Sequence, residues 1–179
     1  MTEVGSVYGE ALYSLAQSEG LSKAILEELT VLNDSFSQEP AYLQLLASPN
    51  LSKEERCGIL DDSFRGKCHP YVLNFLKILT EKGYTRHFTQ CFYAYREHFH
   101  VDNGILPVTA VTAVALQPEQ AAKLTEKLSS LTGKTVELHN RVDSAVIGGV
   151  RLDYNGLRVD GTVEQRLESV RKLLKNTVL

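Results

Sequence analysis

The sequence lacks a long apolar run, a cysteine pair with metal-ligand or redox spacing, and any excess of basic charge. No segment approaches the roughly 20 apolar residues that a membrane-spanning helix needs, so we expect no direct insertion into a membrane. Cys57, Cys68 and Cys91 include no C-x-x-C pair, which argues against a zinc knuckle or a disulfide framework. The net charge of −3 argues against a nucleic-acid partner, because nucleic-acid-binding proteins normally carry a basic excess.

A leader segment is also missing from the sequence pattern. The chain begins Met1-Thr2-Glu3 and continues directly into helical periodicity, with no basic region, apolar signal core or Arg/Ser-rich transit segment. We therefore expect the protein to stay in the compartment where it is made. The missing transit segment favours a bacterial source.

Motifs that carry catalysis or cofactor binding are missing as well. Gly148-Gly149 lacks the G-x-G-x-x-G spacing of a dinucleotide site, and residues 133–135 (Gly-Lys-Thr) end like a phosphate loop without its upstream glycine. His98 and His100 are two residues apart, so on a helix they point to different faces. We expect no catalytic residue, no cofactor, no metal and no ATPase activity, with an enzyme of unfamiliar site as a further alternative.

The first hundred residues are dominated by helical periodicity. In the first segment apolar residues recur at i, i+3, i+4 and i+7, and five further apolar segments follow it. Together they predict six helices with short connections packed as a bundle. Ser52 and Glu55 match a capping box that would begin the fourth helix. Pro70 suits the first turn of the fifth.

The pattern changes at residues 102–104 (Asp-Asn-Gly), the predicted domain boundary. Beyond it, β-branched segments predict strands, and Asn155-Gly156 is a strong hairpin signal. The predicted elements are strands at 106–116, 135–142, 146–153 and 157–159, a helix from Pro118 to Leu131, and a last helix capped by Thr162 that runs through Val163, Leu167, Val170 and Leu174. We predict an α+β chain with a six-helix N-terminal domain (1–103) and a small α+β C-terminal domain (104–179).

Charge is distributed unequally between these two predicted domains. Residues 1–103 hold 14 acidic and 9 basic side chains, a net charge of −5, and residues 104–179 hold 8 and 10, a net charge of +2. The difference is compatible with two units that bind different partners, and also with ordinary solvated surface.

The fifth predicted helix is apolar on nearly every side. Seven of residues 71–79 are apolar, and only Asn74 and Lys77 are not. A central helix of a large protein can bury such a surface, but a six-helix domain has little room to enclose it. One face then packs in the core while another is available to a partner helix. The stripe from Tyr8 to Leu15 on the first helix is, taken alone, most simply a core face.

The motifs resemble, in order, those of the ATP synthase δ-subunit family, which includes the mitochondrial oligomycin-sensitivity-conferring protein. Residues 8–16 (YGEALYSLA) resemble the family's YAxALxxLA opening, and residues 72–83 match VxNFLxxLxxxG. The blocks at 46–53, 108–116, 142–150 and 160–167 also match, so the resemblance covers essentially the whole chain. Two positions depart from it: Gly9 replaces an alanine and suggests a close helix approach, and Tyr84 replaces an arginine, which puts any arginine-specific contact there in doubt.

The resemblance implies a non-catalytic stator subunit of an F-type ATP synthase. The N-terminal domain would bind the catalytic head, with a groove between its first and fifth helices that takes the N-terminal helix of an α subunit. The C-terminal domain would bind the b subunits of the peripheral stalk. The complex would place the chain, as a peripheral protein, at the cytoplasmic face of a bacterial cell membrane. A two-domain adaptor of another complex is the alternative.

The groove is expected to be lined by the apolar stripes of helices 1 and 5. The predicted partner-binding residues are Tyr8, Ala11, Leu12, Leu15, Val72, Phe75, Leu76 and Leu79.

The boundary at residues 102–104 generates a prediction. A fragment that ends near Asn103 should fold alone into an almost wholly helical domain, because its helices are connected locally and carry their own apolar stripes. The measurement is a circular dichroism spectrum with a thermal melt. A largely unfolded fragment would contradict the boundary. The C-terminal fragment, with its smaller core, should be the less stable of the two.

Overall fold

The computed structural model describes residues 3–48, 50–154, 156–162 and 165. The chain divides into two compact units, residues 1–99 and 100–179. The boundary predicted at residues 102–104 lies shortly after this division.

The first unit consists of helices. Among its described residues, six α-helices precede the first strand, and a short 3₁₀ turn (Thr85–His87) comes directly before the sixth. The helices are α1 (Glu3–Ser18), α2 (Ser22–Gln38), α3 (Pro40–Leu46), α4 (Lys53–Phe64), α5 (Pro70–Glu81) and α6 (Phe88–Asp102).

The helix starts follow local hydrogen-bond chemistry. The predicted capping box at α4 is confirmed, since Glu55 N donates to Ser52 Oγ at 3.2 Å and Ser52 N donates to Glu55 Oε2 at 2.8 Å. Helix α5 begins at Pro70, as predicted, and His69 caps it by accepting a bond from Tyr71 N at its Nδ1 atom, at 3.2 Å.

Aromatic side chains fill much of the core of the first unit. Phe36 of α2 contacts Phe88 of α6 edge-on, with ring centroids 5.0 Å apart, and it stacks on Tyr42 of α3. Tyr95 of α6 is fully buried, and its hydroxyl donates to the backbone oxygen of Ser22 at 2.9 Å. This bond satisfies the one polar atom of a ring that otherwise belongs in the core.

Helices α1 and α6 approach closely at Gly9. A Cβ atom added to Gly9 would lie 2.5 Å from the backbone oxygen of Cys91 and 2.7 Å from the Cβ of Ala94. Glycine therefore occurs in mid-helix because no side chain fits between the two backbones. The close approach inferred from the sequence at Gly9 is confirmed.

The second unit is a four-stranded mixed sheet with one described helix. Its elements are β1 (Ile105–Thr112), α7 (Pro118–Thr132), β2 (Thr135–Val142), β3 (Val150–Tyr154) and β4 (Leu157–Asp160). The strand order is β2-β1-β3-β4; β1 and β2 are parallel, and the other neighbouring pairs are antiparallel. Helix α7 makes the crossover that a parallel pair requires. Leu106, Val108 and Val136 form a core against which Leu128 of α7 packs.

The α+β class is confirmed, and two strands are shorter than predicted. Strand β1 ends at Thr112 because the side chain of Asn140 binds Ala110 O, Thr112 Oγ1 and Leu116 N at 2.8–2.9 Å and turns the chain away. Strand β3 begins only at Val150, because residues 143–146 form a turn that bonds to the Asp143 side chain and backbone.

Part of the predicted C-terminal region lies outside the described residues. This applies to Asn155 of the predicted hairpin and to the last helix at Val163, Leu167, Val170 and Leu174. The strands on either side of Asn155 pair antiparallel, from Tyr154 with Leu157 to Arg151 with Asp160.

The contact at Gly9 predicts the effect of adding a methyl group. Gly9→Ala should lower the melting temperature, because the clash with a backbone oxygen costs about 1–3 kcal/mol and exceeds the gain in helix propensity of about 1 kcal/mol. Gly58→Ala is the matched control: Gly58 lies inside α4 with open space around its Cβ position, so this change should stabilise the protein. A Gly9→Ala protein as stable as Gly58→Ala would contradict the close approach.

Candidate partner-binding groove

An apolar groove runs between α1 and α5 of the first unit. It has a volume of about 220 Å³. Its lining residues are Tyr8, Ala11, Leu12 and Leu15 from α1, and Tyr71, Asn74, Phe75 and Ile78 from α5.

The floor and the rim of the groove have different exposures. Leu12 and Phe75 are 5% and 6% exposed and contribute to the core as well as to the groove. Leu15 and Ile78 are 42% and 37% exposed, so large apolar side chains remain in contact with water on both helices. Desolvating such side chains is the general source of binding energy between proteins.

Three residues predicted for this groove lie in the core instead. Val72, Leu76 and Leu79 are at most 3% exposed and do not line the groove. Tyr8, Ala11, Leu12, Leu15 and Phe75 do line the groove, and a partner-binding role for the predicted residues stays a prediction. The lining face of α5 is rotated by about one residue from the predicted face. Asn74, Lys77 and Glu81, spaced i, i+3 and i+7, are the sequence signal that marks the side of the helix away from the core.

Tyr84 packs beside the groove at the C-terminal end of α5. Gly83 adopts a left-handed conformation with φ 74°, Tyr84 N donates to Leu79 O at 2.7 Å, and Gly83 N donates to Thr80 O at 3.2 Å. These are the two bonds of a Schellman motif, which fixes the direction of the chain after the helix. The ring of Tyr84 then contacts Tyr8 edge-on at 5.8 Å between centroids. Tyr84, the residue that replaces an arginine of the family pattern, therefore makes an aromatic contact with α1.

The one charged residue within residues 71–79 is paired outside the groove. Lys77 Nζ lies 2.7 Å from Asp61 Oδ2 of α4. This hydrogen bond lowers the pKa of Asp61 below its usual value, against the effect of desolvation. None of the residues that line the groove carries a charged side chain.

The described residues contain no cluster of three or more His, Cys, Asp or Glu side chains suited to hold a metal ion. Burial raises the pKa of the Cys91 thiol to about 11, and desolvation is the main cause of the raised pKa values of Cys57 and Cys68. Thiols with raised pKa values are poor nucleophiles at neutral pH.

Within the part of the chain that the structure describes, no helix has both the length and the apolar character needed to cross a bilayer.

The second unit has exposed apolar residues near one end of its sheet. Val142 ends β2, Val114 follows β1 and Ile147 precedes β3, and all three are more than half exposed. Because β1 and β2 are parallel and β3 is antiparallel to β1, these positions fall at the same end of the sheet. Sequence reasoning did not single them out, although residues 142–150 belong to a block that carries the resemblance.

Comparisons with known proteins agree over nearly the whole chain. The family model described as "ATP synthase delta (OSCP) subunit" matches residues 4–174. The "ATP synthase subunit delta" of Alkaliphilus oremlandii is 30% identical over 176 residues, covering 98% of each chain. Proteins of the same name from Clostridioides difficile and Lactobacillus gasseri are 27% and 30% identical and cover 98% and 96% of this chain, and 97% and 94% of their own.

A solved structure shares the fold. A chain in the cryo-EM structure of the Toxoplasma gondii mitochondrial ATP synthase hexamer matches with a TM-score of 0.75. The match covers 97% of this chain and 98% of that chain at 16% identity.

A charge introduced at a core position of α5 and one introduced at a groove position of α1 should have opposite effects on folding. Val72→Asp should unfold the first unit, because a carboxylate at a fully buried site has no partner and costs several kcal/mol. Ala11→Asp should leave the helical spectrum nearly unchanged, since Ala11 is exposed on the groove side of α1. Thermal melts followed by circular dichroism distinguish the two variants. A stable Val72→Asp protein would contradict the assignment of this face to the core.

Proposed function

The chain belongs to the ATP synthase delta (OSCP) family, and from this premise we propose that it is a non-catalytic stator subunit of an F-type ATP synthase. In this role the first unit, acting as a six-helix bundle, binds the catalytic head, and the second unit binds the b subunits of the peripheral stalk. The chain then holds the head against rotation while the rotor turns. The complex places it, as a peripheral protein, at the cytoplasmic face of a bacterial membrane.

The observation that carries this proposal is the groove between α1 and α5. We propose that it receives the N-terminal helix of an α subunit. Its lining covers two helical turns on each side, from Tyr8 to Leu15 and from Tyr71 to Ile78, which is about 10 Å of helix axis. An amphipathic helix can lay its apolar face into a groove of this kind.

A stator subunit must bind its partners tightly, but it does not need to make or break covalent bonds. Burying a fully exposed large apolar side chain contributes about 1.5–3 kcal/mol, and Leu15 and Ile78, which are 42% and 37% exposed, would each supply part of that amount on docking. The partner helix contributes its own apolar face. Such binding resists torque only if the chain is held at both ends, by the catalytic head and by the peripheral stalk. The chain therefore needs a second binding site.

The second unit supplies the other end of the link. Its exposed apolar residues at one end of the sheet, Val114, Val142 and Ile147, support contact with another protein. The net charge of +2 for residues 104–179, against −5 for residues 1–103, supports different partners for the two units.

A charge in the groove tests the proposed binding. Ala11→Asp should weaken binding of a synthetic peptide of the cognate α subunit's N-terminus by at least a hundredfold, because docking would bury an unpaired carboxylate. Isothermal titration calorimetry of the full-length protein measures the affinity.

The matched control is Val31→Asp, which places the same charge at an exposed apolar residue of α2 that does not line the groove. It should leave the peptide affinity unchanged. Equal affinities for the wild type and the folded Ala11→Asp protein would sink the groove proposal.

A further inference from the structure

One polar side chain interrupts the apolar lining of the groove. Asn74 of α5 is one of the residues that line the groove, together with Tyr71, Phe75 and Ile78 of the same helix. The other lining residues are aliphatic or aromatic, and Tyr8 and Tyr71 among them also carry hydroxyl groups. Asn74 is exposed in the unbound chain.

The amide of Asn74 has no hydrogen-bond partner among the described residues. A side-chain amide carries two donor hydrogens and an acceptor oxygen, and in the exposed Asn74 side chain they are accessible to water. Asn74 is therefore not required to cap a helix, close a loop or fill the core of this chain, unlike Asn140, which holds the loop after β1.

Docking a helix changes this situation. When an apolar face covers the groove, it removes water from the Asn74 amide, and a buried amide without a partner is costly. A docking helix that places its own polar group opposite Asn74 avoids that cost. A helix shifted by one turn or reversed would put an aliphatic side chain there instead.

We propose that Asn74 determines the register and the specificity of the groove by requiring one hydrogen-bonding side chain within the otherwise apolar face of the docking helix. This inference rests on the proposed function, because the occupant is the α-subunit helix. A single asparagine in an apolar helix interface has the same effect in coiled coils, where it fixes register at some expense of stability. The partner is then an amphipathic helix with one uncharged polar residue in its apolar stripe.

Asn74→Leu provides the test in the full-length protein. The probes are the parent peptide of the cognate α subunit's N-terminus and a set of peptides in which each polar residue is replaced singly by leucine. In the wild type, one replacement should weaken binding at least tenfold. In Asn74→Leu, the parent peptide should bind at least tenfold more weakly than in the wild type, and that same replacement should restore the affinity.

Asn50→Leu is the control for the substitution itself, since Asn50 is exposed and does not line the groove. It should keep the wild-type ranking of the peptides. If wild type and Asn74→Leu rank the peptides identically, the inference is overturned while the proposed function stands. If the wild type does not bind the parent peptide at all, the proposed groove function fails and the inference fails with it.

Discussion

Helix α5 contacts two different environments, and this constraint organises the first unit. Val72, Leu76 and Leu79 anchor one face in the core, where they are almost completely buried. The same anchoring turns Asn74 and Ile78 outward beside α1. Because Val72, Leu76 and Leu79 fix the rotation of α5 about its own axis, the helix cannot turn to bury its second apolar face. That face therefore stays in contact with water.

The remaining packing of the unit keeps the groove open. Gly9 lets α1 lie directly against the backbone of α6, and the edge-on contact between Tyr8 and Tyr84 supports the α1 side from the end of α5. The pairing of Lys77 with Asp61 holds the only charge within residues 71–79 against α4. Together these contacts give a neutral, apolar surface whose shape is set by features elsewhere in the unit.

Much of this arrangement could be predicted from the sequence, and the part that could not has a physical reason. The helices and their caps followed from local signals, as at Ser52 and Pro70, and the steric requirement at Gly9 was inferred from glycine in mid-helix. The lining face of α5 was predicted one residue away from its true position, although Asn74, Lys77 and Glu81, spaced i, i+3 and i+7, mark the side of the helix that points away from the core. The groove lies between this polar side and the core face, where apolar periodicity alone gives no sharp edge. The strand ends at Thr112 and Val150 depend on hydrogen bonds of Asn140 and Asp143, which are tertiary contacts or turns that β propensity does not register.

We propose that the groove between α1 and α5 holds the N-terminal helix of an α subunit in the assembled synthase. Site-specific photocrosslinking in the complete enzyme tests this proposal, with a photoreactive amino acid in place of Leu15, and with Val31 of α2 as the reference position. We expect mass spectrometry to find crosslinks from position 15 to the N-terminal segment of an α subunit, and none to that segment from position 31. Crosslinks from position 15 only to other subunits, or equal yields to that segment from both positions, would contradict it.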